Sequence, residues 1–132
     1  VEQRAEFLAK SQILINLMPL TSENTGILSK SLFEQLPDQA ALIQVGRGQH
    51  LVEQDLLNAL DSGVLRGAII DVTKQEPLSI SHPFWQHEKI IVTPHIASHA
   101  PMSVVVEQIL ENDRRLNANL PLCNQVDLTN GY

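Results

Sequence analysis

The chain has 132 residues, 43% hydrophobic and 18% charged, a composition that suits one globular domain with a real core and no more. Fifteen acidic against nine basic residues give a net charge of -6, and the basic residues are scattered, so no nucleic-acid partner is expected. No run approaches the roughly 18 apolar residues of a membrane span, no signal-peptide pattern opens the chain and Cys123 is a single cysteine, so the expected setting is reducing and cytoplasmic, with no membrane partner.

In chain order, residues 13–17 form the first of four short apolar runs; the others are residues 41–45, 68–72 and 90–93. They are nearly continuous in Ile, Leu and Val, which predicts parallel strands covered by helices on both faces. Residues 29–36 predict the first helix between them, with Ser31 and Glu34 as a capping box and Pro37 as its stop. Residues 53–60 predict a second, with Leu56, Leu57 and Leu60 at helical spacing and Gly63 as the terminator. Residues 76–89 hold two prolines and too little periodicity for a helix. A last helix is expected from near Pro101 to Leu116, polar in its later half, followed by an aperiodic tail over residues 120–132. The alternation predicts an α/β fold of the doubly wound type with a parallel sheet and flanking helices.

Ligands of open α/β sheets bind beyond the carboxyl ends of the strands. The loops there read Met18-Pro19-Leu20-Thr21, Gly46-Arg47-Gly48, Asp71-Val72 with Glu76-Pro77, and Pro94-His95-Ile96-Ala97. Arg47, flanked by glycines that leave a ligand room to approach, suits bidentate binding of a carboxylate, although a surface arginine in a glycine turn reads the same way. His95 can supply a proton near neutral pH if a carboxylate such as Glu76 holds its ring, against the commoner role of a structural histidine. Asp71 either accepts from a ligand amide or caps its own turn, the commoner case. Phe84 and Trp85 read as packing residues, with Trp85 in a loop that can border a pocket. His50, His82, His87 and His99 lack comparable placement, and no spacing supports a metal site.

Together these loops resemble the D-isomer-specific 2-hydroxyacid dehydrogenase family, in order and spacing from about Ile13 to Ala97. The pieces are Leu17-Met18-Pro19-Leu20-Thr21 with Thr25-Gly26-Ile27, Gly46-Arg47-Gly48, the stretch from Asp55 to Gly63, Gly67 to Val72 with Glu76-Pro77-Leu78, His82-Pro83-Phe84-Trp85, and Pro94-His95-Ile96-Ala97. The ending from Cys123 through Asp127 to Gly131-Tyr132 resembles the branch that reduces glyoxylate and hydroxypyruvate.

The resemblance implies a Rossmann-type domain and an NADP or NAD cofactor, NADPH being favoured. It implies reduction of a small 2-keto acid, with Arg47 on the substrate carboxylate, His95 as proton donor and Glu76 holding the histidine ring. It places Asp71 against the nicotinamide carboxamide and Met18, Pro19 and Val45 beside the cofactor, in an enzyme expected to be a homodimer. Residues 1–100 would be the C-terminal part of the dinucleotide-binding domain and residues 101–132 a helix and tail. Two departures are Gly46, where the family commonly has alanine, and Glu53, where a better helix N-cap is usual. A larger one is that no Gly-x-Gly-x-x-Gly occurs, so the first βαβ phosphate-binding unit is missing from this sequence. The alternative expectation is a truncated, non-catalytic remnant or binding module of the same fold.

Overall fold

In the computed structural model, which describes residues 2–129, the apolar runs pair into one parallel sheet in chain order. The strands are β1 (Ile13–Asn16), β2 (Ala40–Gln44), β3 (Leu65–Ile70) and β4 (Ile90–Val92). The helices are α1 (Glu2–Lys10), α2 (Lys30–Phe33), α3 (Glu53–Asp61) and α4 (Met102–Asn117). Short 3-10 turns lie at Gly48–His50 and Pro83–Trp85. Sequential parallel order follows from the crossovers through α2 and α3, each of which returns the chain beside the strand it left.

Register decides which residues face the core. Leu14, Leu42, Ala68 and Ile90 align across the four strands, and all are buried. They pack with Leu28, Leu32, Phe33, Leu56, Leu60 and Phe84 into one cluster. Each Leu or Phe fully removed from water contributes about 1.5–3 kcal/mol before entropy is charged against it. The next row, on the opposite face, is Ile15, Ile43, Ile69 and Ile91. Ile15 and Ile91, like Ile13, are more than half exposed. Burial on both faces is the expectation from the continuous apolar runs; within the first 97 residues the second face is covered only in part, with Ile43 and Ile69 half-buried on the central strands. Apolar continuity reports that a strand can be covered twice; it does not supply the second layer.

The first predicted helix is shorter than its pattern and is not closed by a capping box. Ser29, not Ser31, is the N-cap, and it makes no side-chain cap bond. The exposed Lys30 N–H is satisfied instead by Asp55 Oδ2 at 2.8 Å, reaching over from the first turn of α3. A long-range carboxylate thus does what the local pattern assigned to Ser31 and Glu34. The helix α3 matches its pattern more closely, burying Leu56, Ala59 and Leu60 and passing into Gly63 at φ +81°. That left-handed backbone favours glycine and ends the helix. Glu53 is not an N-cap at all: Val52 holds that position, and Glu53 is an acidic residue of the first turn, where the helix dipole favours it.

The chain divides into two compact units between Ala97 and Ser98. In the second, α4 carries an ion-paired patch in which Glu111 meets Arg114 at 2.8 Å and Arg115 at 2.6 Å. The tail folds back on the same helix, with Cys123 N–H donating to Asn112 Oδ1 at 2.8 Å and Asn112 Nδ2 returning a bond to Cys123 O at 3.2 Å. The last residues of the tail pattern, Gly131 and Tyr132, lie outside the described residues. No helix among the described residues is long and apolar enough to cross a membrane.

Candidate active site

The carboxyl ends of β1 to β4 deliver four loops, and each is tied down by a buried or half-buried polar group. Asp71 follows β3 directly and is 4% exposed. Its Oδ1 accepts from Thr93 Oγ1 at 2.5 Å and Ile96 N–H at 2.9 Å, and its Oδ2 from Ala97 N–H at 3.0 Å. Burial pushes the Asp71 carboxyl up, but those three donors and the nearby His95 more than offset it, leaving it below its ordinary 3.8. The turn-capping role weighed from sequence is therefore occupied by three bonds. An ionised carboxylate offers about four acceptor sites, so Oδ2 keeps capacity for a ligand donor.

Those bonds shape the loop that carries His95, whose backbone is left-handed at φ 53° and whose N–H donates to Asp71 O at 2.9 Å. The imidazole Nδ1 lies 2.8 Å from Glu76 Oε2, with the two side chains 50% and 41% exposed. Glu76 Oε1 also accepts from Thr73 N–H at 3.1 Å. Bonds from His95 and Thr73, joined by the charges of His95 and Arg47, hold the Glu76 carboxyl below its ordinary 4.5 against a smaller opposing effect of burial. An ionised carboxylate only accepts, so Nδ1 carries the proton and Nε2 is left to face a reactant. Glu76 and His95 line a pocket of about 260 Å³ together with Asp71, Leu78, Trp85 and Val92. Phe84 is a core residue, 1% exposed, while Trp85 borders the pocket with its indole N–H on Ser79 O at 2.9 Å.

Arg47 is not among the residues that line that pocket. Its charge reaches Glu76, and its guanidinium Nη1 donates to Gly46 O at 2.8 Å. The glycines on either side do not serve ligand access, as the sequence suggested. Both are buried against the protein's own loops: a Cβ on Gly46 would lie 2.8 Å from Asn16 Nδ2 and 3.0 Å from His50 Nδ1, and one on Gly48 would overlap the backbone of Thr73 and Lys74. The departure from alanine at Gly46 is thus matched to its neighbours Asn16 and His50.

Met18 and Pro19 follow β1, with Met18 O also within 3.0 Å of the same added Cβ, and Val45 N–H donates to Asn16 O at 3.1 Å. These three residues, with Asp71, sit at neighbouring strand ends and offer an apolar surface and an acceptor. Asp71 lines the pocket of Glu76 and His95, whereas Met18 lines a separate one with Phe7, Leu14 and Ile27. The described residues hold no group of three or more His, Cys, Asp or Glu placed for a metal.

Sequence reasoning passed over Asn16, Gln44 and His50, which are 3%, 0% and 0% exposed. The signal for the first two was present: alternation puts both on the core side of their strands, where a polar residue requires partners. His50 left no such signal, because its burial depends on the 3-10 turn that follows Arg47.

The sequence profile described as D-isomer specific 2-hydroxyacid dehydrogenase, NAD binding domain matches residues 1–97. Among solved structures, a D-isomer specific 2-hydroxyacid dehydrogenase family protein from Klebsiella pneumoniae 342 is 48% identical over 96% of this chain and 40% of its own, with a TM-score of 0.86. The enzyme of this family from Xanthobacter autotrophicus Py2, solved with NADPH and MES, is 40% identical over all of this chain and 55% of its own, at a TM-score of 0.93. The NADPH-dependent glyoxylate/hydroxypyruvate reductase of Sinorhizobium meliloti, solved with NADP and sulfate, is 36% identical over all of this chain and 43% of its own, at 0.94. The chain spans between 40% and 55% of the length of these three. It belongs to the D-isomer specific 2-hydroxyacid dehydrogenase family and carries sequence of the family's NAD binding domain.

Proposed function

We propose that this chain supplies the catalytic edge of a cytoplasmic, homodimeric reductase that converts a small 2-keto acid, glyoxylate or hydroxypyruvate, into the 2-hydroxy acid with NADPH or NADH. The observation that carries this reading is the His95–Glu76 pair at 2.8 Å, half exposed at a pocket mouth, with Arg47 close enough to act on Glu76 by its charge. When bound, the nicotinamide supplies the hydride. Arg47 binds the substrate carboxylate through its planar fork and draws charge toward the keto oxygen. His95 delivers the Nε2 proton to that oxygen, and Glu76 orients the ring and stabilises the charge it carries before transfer. A cation and an acid converging where negative charge develops favour the transition state over the ground state.

Asp71 accepts from the carboxamide with its remaining Oδ2 capacity, and Met18, Pro19 and Val45 flank the cofactor. The NADPH and NADP held by two of the relatives support NADPH over NADH. The Cys123 to Tyr132 pattern and the likeness to the Sinorhizobium enzyme support glyoxylate or hydroxypyruvate. The second reading is a non-catalytic module of the same fold, since fold by itself does not dictate function. Assay of the complete polypeptide with glyoxylate and hydroxypyruvate, following NADPH and NADH oxidation, decides between them. Turnover lost with Arg47→Ala or His95→Gln supports the reductase, and no turnover with any small 2-keto acid favours the module.

A further inference from the structure

His50 is fully buried, yet it is neither a core hydrophobe nor part of the pocket. Its Nδ1 receives two donors, Asn16 Nδ2 at 2.8 Å and the Arg47 N–H at 3.2 Å. A ring nitrogen that accepts is unprotonated, so the proton sits on Nε2, which donates to Asn24 Oδ1 at 3.1 Å. Asn24 is itself fixed at both ends of its amide: Oδ1 accepts from Thr21 N–H at 2.8 Å, and Nδ2 donates to Pro19 O at 2.8 Å. On the other side, Gln44 Nε2 donates to Arg47 O at 2.8 Å and Gln44 Oε1 accepts from Asn16 Nδ2 at 2.7 Å. One buried ring therefore joins the loop of Pro19, after β1, to the loop of Arg47, after β2. Gly46 leaves the space for it, since a Cβ there would stand 3.0 Å from Nδ1.

We infer that His50 is a positioning residue, a neutral two-ended link that fixes the Arg47 loop against the Pro19–Asn24 loop and so sets the carboxylate anchor relative to the hydride donor. The inference rests on the reading of Arg47 as that anchor. A direct link matters because hydride transfer tolerates little misplacement: an error near one ångström between reactants costs on the order of a hundredfold in rate. The imidazole spans the gap with a rigid ring, and each of its nitrogens faces a group of matching polarity. A hydrocarbon of the same volume leaves the Arg47 N–H and one Asn16 donor without partners, and takes from Asn24 Oδ1 one of its two donors, leaving only the Thr21 N–H. Asparagine keeps an acceptor near the Nδ1 position and restores one of the two ends.

The test uses the complete polypeptide with His50→Leu, His50→Asn, Asn24→Ser and Arg47→Ala. Hydrogen exchange on the cofactor-free protein should rise in peptides covering residues 17–25 and 44–51 in His50→Leu, while those covering α3 and β3 stay protected. Exchange that rises everywhere, or in only one of the two loops, overturns the link. In keto-acid reduction, His50→Leu should lower kcat/KM by about tenfold or more, and His50→Asn should recover part of that loss. Arg47→Ala should then cost far less in the His50→Leu background than in the parent, because both remove the same placement. Losses that simply multiply assign His50 a structural role and overturn the inference. If His50→Leu does not fold, Asn24→Ser breaks the other end, and the same rise in residues 44–51 is required of it. Should Arg47→Ala by itself leave activity intact, the anchor reading fails and takes the catalytic part of the inference with it, while the exchange result still decides the link between loops.

Discussion

Gly48 lies so close to the backbone of Thr73 that a Cβ on it would overlap the Thr73 carbonyl group and the Lys74 nitrogen. Thr73 N–H in turn donates to Glu76 Oε1, so this contact locks the loop of Arg47 to the loop of Glu76. Backbone cannot move aside as a side chain can. Gly48→Ala is therefore expected to destabilise the protein by about 1–3 kcal/mol through overpacking and to reduce kcat/KM further by parting the two loops. Denaturation midpoints and keto-acid kinetics measure the two effects. An alanine variant with the parent's stability and kinetics would show that the loops are not held together here.

Arg47→Ala should lower kcat/KM by well over tenfold, affecting KM and kcat together, because the substrate carboxylate and the developing oxyanion lose one shared partner. A loss below about tenfold, or about 1.4 kcal/mol, removes Arg47 from the proposed role. Arg47→Lys should recover only part of the loss, since a point charge cannot reproduce the planar two-donor fork.

Glu76→Gln addresses the His95 pair. The Glu76 carboxyl is held below its ordinary 4.5, so it stays ionised through the neutral range and keeps the His95 Nδ1–H engaged. The substitution is expected to reduce kcat by about tenfold or more at neutral pH, with little change in cofactor affinity, because the His95 ring loses the acceptor that orients it and the charge that stabilises it before transfer. A kcat close to the parent's would remove Glu76 from the assigned orienting role.

How much of this was readable beforehand differs by the range of the interactions involved. Leu56, Leu60 and Gly63 announce α3 because spacing and a left-handed terminator act within one turn of chain. The strand-end residues Asp71, Glu76 and His95 were legible because parallel topology fixes where strand ends fall, and the structure brings all three to one pocket. Helix α1 was not read, for only Leu8 among its described side chains is buried and a lone apolar contact leaves no period. The capping of α2 by Asp55 and the burial of His50 between Asn16, Asn24 and Arg47 join residues 25 to 34 positions apart or bring a turn inward, and no local pattern encodes either. Gly46 and Gly48 were noticed for the wrong reason: both read as openings for a ligand, and both are filled by neighbouring protein.

The burial of His50 also predicts a pH dependence of stability. Burial lowers its pKa below 6.5; a bond to Pro19 backbone opposes the shift in part, and the Arg47 charge adds to it. Between that lowered value and 6.5 the unfolded chain binds more protons than the folded one, so unfolding free energy rises with pH through this window and falls on acidification. The carboxyls of Asp71 and Glu76 are held low and lose their contribution only below their ordinary 3.8 and 4.5. The stability advantage of the parent over His50→Asn should therefore shrink as pH falls from about 8 to about 5, read from denaturant unfolding of both proteins. An advantage that stays constant, or grows, would place a protonated imidazole in the folded state and contradict the bonds drawn to Nδ1.

The last prediction concerns residues 1–132 expressed by themselves. They carry acceptors and apolar surface for the nicotinamide end, in Asp71, Met18, Pro19 and Val45, but no glycine-rich turn whose N–H groups would neutralise a pyrophosphate. Most of the affinity for a dinucleotide that such a turn provides is then absent, and NADPH and NADH should bind weakly or not at all. The sheet adds a second expectation. Strand β1 is at its edge, and the row Ile15, Ile43, Ile69 and Ile91 on the less covered face ends in two residues that are more than half exposed. An edge strand beside exposed isoleucines favours pairing with a second copy, so concentration-dependent association should appear in sedimentation or light scattering. Fluorescence titration with NADPH and NADH, followed by assay with glyoxylate and hydroxypyruvate beside a full-length relative, completes the measurement. A monodisperse monomer with micromolar cofactor affinity and turnover would show that these residues form a self-sufficient enzyme, with a way of holding the pyrophosphate that does not use a glycine turn.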